Sequence, residues 1–248
     1  MNDRMNKLVY QVASDKGVLV TFGQEINEET IQIILSFEKK LNASNLSGVV
    51  ETIRGFCTLF VSYDPLDIDC VTLINHLKEV QYEISEDRIN KTFCHSGKII
   101  EIPAVYGGGY GHDLKLVSDL LGISEEEVIK LHSYGDRLVI FNGFTGGTAY
   151  FKGDNELFDL PRKKTPVIFC PEGSLVFSDG LATVFRATGG PTGWYSIGRS
   201  PLKQWYHHKE PPILIKIGDW IRYRRIDEKE FHKIRQEVDQ GTYKLRYF

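Results

Sequence analysis

Residues 7–12 and 18–22 are strand-like in their apolar pattern, and Ser14-Asp15-Lys16-Gly17 between them is a turn signal. The period then lengthens: Ile31, Ile34, Leu35, Phe37 and Leu41 recur at near-helical spacing. Asn27 is placed to cap that helix, and Glu28 and Glu29 suit its first turn, where the helix dipole favours acids. Residues 48–53 and 56–63 return to strand patterning around Arg54-Gly55 and predict a hairpin. Asp67 opens a second predicted helix with Val71, Ile74, Leu77 and Val80 on one stripe, and residues 98–103 close the unit as a strand. This order predicts a small α/β sandwich over residues 7–104, an antiparallel sheet with helices on one face.

The second half has a different rhythm. A glycine run, Tyr106-Gly107-Gly108-Gly109-Tyr110-Gly111-His112-Asp113, leads into a predicted helix at 114–121 that Gly122 ends. Ser124-Glu125-Glu126-Glu127 is a capping box opening a helix over 125–132. Short apolar strands follow at 138–141, 148–151, 167–169, 174–177, 182–186, 194–197, 213–217 and 220–224, with frequent turn signals, as in a barrel or sandwich. Residues 227–238 predict a charged terminal helix docking through Phe231 and Ile234, ahead of a short tail to 248. The fold class is α+β: the sandwich, then a β-rich domain over 105–226 with two leading helices, then the helix and tail over 227–248.

Composition narrows this picture mainly by exclusion. A chain of 248 residues has room for one large or two small domains, and its net charge of −3 gives no basic field for general nucleic-acid binding. The longest apolar runs are strand-length, too short to span a bilayer, and no basic-then-apolar signal segment opens the chain, so the expectation is a cytoplasmic protein. Cys57, Cys70, Cys94 and Cys170 show no CxxC pairing; buried free thiols are expected rather than a metal set. His76 reads as exposed on its helix, and Cys94-His95 reads as a loop without chemistry.

Candidate chemistry concentrates in three places. The run Gly189-Gly190-Pro191-Thr192-Gly193-Trp194-Tyr195-Ser196-Ile197-Gly198-Arg199-Ser200-Pro201 encloses a short strand that leaves Arg199 at its end, where a side chain can meet a ligand. The glycine run before the 114–121 helix can cradle a phosphate on free N–H groups, although it lacks the Lys-Ser/Thr of a P-loop. His132 stands at the last turn of its helix, where the dipole favours the protonated form, or where it serves only as a cap.

An ordered series of motifs then resembles one family. Ile102-Pro103-Ala104-Val105-Tyr106-Gly107-Gly108, Gly111-His112-Asp113-Leu114 and Ser124-Glu125-Glu126-Glu127-Val128-Ile129-Lys130-Leu131-His132-Ser133 come first. Gly143-Phe144, Tyr150, Pro161-Arg162, Pro166, Pro171, Gly173-Ser174, Gly193-Trp194 and Ile197-Gly198-Arg199-Ser200-Pro201-Leu202 follow. Across residues 8–226 the chain resembles the allophanate hydrolase subunit 1 family, which includes the B-type subunit of 5-oxoprolinase (PxpB), the sporulation kinase inhibitor KipI and part of the carboxyltransferase region of urea carboxylase.

The resemblance implies that the β-rich domain is a cyclophilin-like barrel. It also implies a component of an ATP-dependent amide hydrolase that opens 5-oxoproline to glutamate, working with a homologous C-type subunit (PxpC or KipA type) and an A-type subunit. ATP, with Mg, belongs to the assembled complex; no cofactor-binding residues and no metal ligands are assigned in this chain. An amide is a poor electrophile, so phosphorylating its oxygen would give water a better target, and donors near that oxygen would stabilise developing charge. The candidate catalytic residues are Arg199, Arg162 and His132, and the candidate substrate-binding residues are Tyr106, Phe144, Tyr150, Gly193 and Trp194.

Departures from the family pattern bear on function. Where the family reads Gly-Phe-x-Pro-Gly-Phe-x-Tyr-Leu, this chain has Gly143-Phe144-Thr145-Gly146-Gly147-Thr148-Ala149-Tyr150-Phe151. Where it reads Gly-Gln-Thr-Gly-Ile-Tyr-Pro, the chain has Gly180-Leu181-Ala182-Thr183-Val184-Phe185-Arg186, and the glutamine and tyrosine are lost. His112 stands for a proline, Thr192 for a glycine, and Lys163 for an arginine, which forfeits a planar fork. Two other readings therefore stand beside the hydrolase component: a KipI-like module that binds and inhibits a sensor histidine kinase, and a carboxyltransferase-related subunit of the urea carboxylase type.

Overall fold

The computed structural model describes residues 8–89, 99–207 and 210–248; Cys94 and His95 lie outside the described residues. The chain divides into two compact units, Met1–Ser96 and Gly97–Phe248.

In the first unit, β1 (Val9–Ser14) and β2 (Gly17–Thr21) form a hairpin, α1 (Glu28–Ser44) follows, β3 (Val49–Arg54) and β4 (Thr58–Tyr63) form a second hairpin, and α2 (Cys70–Ile89) completes it. The sheet is antiparallel with order β1-β2-β4-β3. Alternation along the central strands turns Val18, Val20, Leu59 and Val61 into one core. The core's other side comes from Ile33, Ile34, Phe37 and Leu41 of α1 and Leu73, Leu77 and Val80 of α2. Asn27 caps α1 as its sequence suggests, accepting from the Thr30 N–H at 2.9 Å. The second helix starts later than Asp67: the Asp69 carboxylate accepts from the N–H groups of Val71 and Thr72, so that residue organises its first turn.

The second unit contains β5 (Ile99–Tyr106), a short 3-10 turn (Gly108–Tyr110), α3 (Leu114–Leu121) and α4 (Glu125–Ser133). Its further strands are β6 (Asp136–Leu138), β7 (Phe141–Gly143), β8 (Thr148–Lys152), β9 (Val167–Cys170), β10 (Ser174–Ser178), β11 (Leu181–Phe185), β12 (Gly190–Thr192), β13 (Tyr195–Arg199) and β14 (Trp220–Arg225), and α5 (Glu228–Asp239) follows. Eight strands make one curled sheet in the order β6-β14-β5-β13-β10-β11-β8-β7, a half-barrel. Its two ends, β6 and β7, are successive pieces of one segment, which pairs with β14 first and β8 second. β9 and β12 form a separate two-stranded ribbon.

Two elements differ from the sequence reading. β5, read there as the last strand of the first unit, runs parallel to β14 and antiparallel to β13, inside the second unit's sheet. Its partners lie far along the chain, where local pattern carries no information about them. Residues 213–217, read as a strand, make one bridge to Trp205, with Leu214 N–H donating to the Gln204 carbonyl, and are held further by the side chains of Asn142, Gln204 and Asp219. The buried Gln204 amide donates to the Ile215 carbonyl and accepts from its N–H at 3.2 Å, replacing a strand partner.

The glycine run is a packing device. Gly107 N–H donates to the Ile197 carbonyl, Asp113 N–H to that of Ser196, and the N–H groups of Tyr110 and Gly111 both donate to the Gly107 carbonyl. The Asp113 carboxylate accepts from Lys163 Nζ at 2.6 Å and from Ser196 N–H at 2.8 Å. Four N–H groups of the run are thus committed to main-chain carbonyls and the Asp113 carboxylate is turned to Lys163 and Ser196, an arrangement that packs the turn on β13 rather than leaving all its donors free for a phosphate. Lys163, the lysine that departs from the family's arginine, is therefore half of a largely buried ion pair.

Candidate functional site

One end of the curled sheet carries a cavity of about 250 Å³. β8 contributes Thr148 and Tyr150, β10 Val176, β11 Thr183, and the segment around β12 contributes Pro191, Thr192, Gly193 and Trp194. Phe144, Thr145, Arg162 and Arg186 complete the lining from loops. Tyr150 and Trp194 meet edge to face with ring centroids 6.0 Å apart, an aromatic corner against which a flat ligand can lie. Burial pushes the Tyr150 phenol up from its ordinary pKa, and the Arg186 charge pulls it partly back. Its hydroxyl stays protonated and is a donor.

Arg162 stands on the surface at the cavity edge, its guanidinium 5.8 Å from the Trp194 ring centre and its Nε donating to Asp179 at 3.2 Å. Phe144 is 80% exposed and sits at φ 66°, a conformation that costs a residue other than glycine about 1 kcal/mol or more. A strained, solvent-facing aromatic beside a cavity is a feature that function can explain where packing does not.

The structure thus brings together Phe144, Tyr150, Arg162, Gly193 and Trp194. It places Tyr106, His132 and Arg199 elsewhere. Tyr106 hydroxyl and His132 Nδ1 share a hydrogen bond of 3.0 Å, and the imidazole is fully buried among Phe151, Phe158 and Tyr223. Burial, with Arg137 adding repulsion, holds the His132 pKa well below its ordinary value. The helix end was expected to favour the protonated form; desolvation outweighs it, and His132 is neutral. Arg199 is half-buried on the side of α5, its Nε donating to the Glu172 carbonyl at 2.7 Å and its guanidinium 6.0 Å from the Phe231 ring. Burial and Arg235 lower its pKa from the ordinary arginine value.

Arg186 and the threonines Thr145, Thr148, Thr183 and Thr192 line the cavity without having been singled out as site residues from sequence. Only the change from the family's proline at position 186 marks that arginine in the sequence. Among the described residues, no three His, Cys, Asp or Glu side chains converge as a metal set. No helix there is long and apolar enough to cross a membrane.

The chain belongs to the carboxyltransferase family: residues 8–215, which include most of this curled sheet and its cavity, match the carboxyltransferase domain, subdomain C and D. Within it, the chain is 31% identical over 241 residues to the 5-oxoprolinase B-type subunit of Bacillus subtilis (strain 168), covering 92% of this chain and 98% of that one. A conserved uncharacterized protein of Pyrococcus horikoshii is 34% identical, with a TM-score of 0.52 over 90% of this chain and 100% of that one. The urea amidolyase of K. lactis shares the fold, with a TM-score of 0.73 at 17% identity over 97% of this chain and 16% of that one.

Proposed function

We propose that this chain is the B-type subunit of an ATP-dependent lactam hydrolase that opens 5-oxoproline to glutamate, acting in the cytoplasm with a homologous C-type subunit and an A-type subunit. The observation that carries this reading is the match to the 5-oxoprolinase B-type subunit along nearly the whole of both chains. The cavity supports it: its size suits a small ring, Tyr150 and Trp194 offer flat contact, and Arg162 stands at the edge. The second unit is then a cyclophilin-like barrel beginning with β5, preceded by the small sandwich.

The residues do not fit ATP here. The cavity is smaller than the roughly 300–1,000 Å³ of drug-sized pockets, and four N–H groups of the glycine turn already donate to main-chain carbonyls. Nucleotide therefore belongs to another component of the complex, and this chain's share is to bind the lactam, orient it and cover it from water. A surface for the partner is available beside the cavity. The β9–β12 ribbon, which supplies Pro191 and Thr192 to the lining, exposes Ile168 (92%) and Phe169 (65%).

A second reading, the KipI-like inhibitor of a sensor histidine kinase, is favoured by the departures along 180–186, which change chemical groups while leaving β11 intact. Co-purification from native cells followed by an ATP- and 5-oxoproline-dependent glutamate assay separates the two. Glutamate formation that needs this chain is expected. An assembled complex that makes no glutamate sinks the proposal, and a captured histidine kinase with no turnover establishes the second reading.

A further inference from the structure

Arg186 lies one residue past β11 and is only 7% exposed, yet it lines the cavity. Its position is fixed from both ends. Its N–H donates to the Ser174 carbonyl, its own carbonyl accepts from Gly173 N–H, and its Nε donates to the Thr188 carbonyl at 3.2 Å. The other cations nearby in the sequence of the site are neutralised: Arg162 has Asp179 and Lys163 has Asp113. Among the described residues, no carboxylate pairs with Arg186.

The side chain is mostly covered while its Nη groups stay open to the cavity without such a counter-charge, a position that an anion in the cavity would complete. Its Nη2 lies 3.5 Å from where a Cβ on Gly190 would stand, next to Pro191 and Thr192 of the lining. The Tyr150 hydroxyl is near enough to feel its charge. A fixed Nε leaves the Nη groups to form the planar fork that suits a carboxylate, with the phenol as a further donor. The family pattern has proline at this place, so the arginine departs from it in chemistry.

We infer that Arg186 is the anion-binding, specificity-determining residue of the cavity, and that the ligand is a small amide or lactam bearing a carboxylate. The carboxylate rests on Arg186 and the ring lies against Tyr150 and Trp194. The amide part of this inference rests on the lactam hydrolase reading; the carboxylate part does not.

The test is calorimetric titration of the full chain with 5-oxoproline, with 2-pyrrolidinone (the same ring without the carboxylate), with glutarate and with inorganic phosphate. The wild type should bind 5-oxoproline, and Arg186→Met should weaken it about tenfold or more, with Arg186→Lys between the two because it keeps charge but loses the fork. Binding of 2-pyrrolidinone should be weak and the same in all three. Should Arg186→Met fail to fold, the Lys variant alone still reads the loss. Equal affinity for 5-oxoproline in a folded variant overturns the role of Arg186 and leaves the hydrolase reading standing. Glutarate bound through Arg186, with 5-oxoproline not bound, keeps the carboxylate site and overturns the lactam reading. Phosphate as the sole ligand, or no anion bound by the wild type, overturns the inference.

Discussion

His132 Nδ1 is engaged by the Tyr106 hydroxyl, its Nε2 is buried without a partner among the described residues, and Arg137 adds a positive charge nearby. The folded protein therefore binds a proton there less readily than the unfolded chain, whose histidine titrates near its ordinary value of about 6.5. Above that pH both states are neutral and His132 adds no pH dependence. Below it the unfolded state gains a proton that the native state refuses, so stability falls as pH falls, by up to about 1.4 kcal/mol per pH unit, until the folded pKa is reached. Urea unfolding at pH 7, 6 and 5 should show this slope in the wild type and a weaker one in His132→Gln. An identical slope in the variant would assign the effect to another group. Arg199 calls for a different comparison, because its contacts are to a carbonyl and an α5 ring rather than to the cavity. Arg199→Ala should lower stability by about 1–2 kcal/mol while turnover per folded complex is kept. Lost turnover in a fully folded variant would return Arg199 to the site. At this scale the sequence showed residue types but not burial. Arg186 stands there at a strand end, marked only by the change from the family's proline, and its covered place in the cavity lining, with no carboxylate partner among the described residues, gives that change meaning.

Among the elements, the 3-10 turn between β5 and α3 lies directly on β13, and Gly111 is where the two backbones meet. A Cβ on Gly111 would stand 2.1 Å from the Ile197 carbonyl carbon and oxygen, main-chain atoms of a central strand that cannot rotate away. Gly109, two residues earlier, has nothing within 4 Å of the same built atom. Gly111→Ala should therefore cost about 2–4 kcal/mol, and Gly109→Ala should be nearly neutral, in thermal unfolding of the full chain. Similar shifts in both would mean that the run matters for flexibility rather than for close approach. The sequence showed that glycines were needed here; which of them, and against what, depended on β13, far along the chain. The same limit explains the other misassignments. Caps such as Asn27 and the Ser124–Glu127 box act within one turn and are legible locally. The partners of β5, and the Gln204 amide that substitutes for a strand beside Ile215, are set by tertiary pairing.

For the whole molecule, five of the eight candidate site residues converge on one cavity although they span positions 144 to 194. The motif series, not periodicity, had marked them, since alternation gives a strand's face but not which strands will sit side by side. The remaining question at this scale is assembly, and the β9–β12 ribbon gives it a sharp form. Ile168 and Phe169 fall together at the irregularity in the register of the two-stranded ribbon, between the Gly190–Cys170 and Thr192–Val167 pairs, and both are exposed. Ile168 is almost wholly exposed and the Phe169 ring only lies against the Gly189 backbone, so Ile168→Asp with Phe169→Asp should lower the melting temperature by no more than about 4 °C. If the ribbon docks the C-type subunit, the same pair should weaken the complex by about 30-fold or more, as truncation of an interface hot spot does, with glutamate formation falling in step at low protein concentration. Raising the concentration of the C-type subunit should then restore turnover, because the substitution affects occupancy of the complex and not the Arg186 cavity. A double variant that assembles normally would place the partner elsewhere on the molecule. One that assembles normally but turns over slowly would make the ribbon a cover over the cavity instead of a dock.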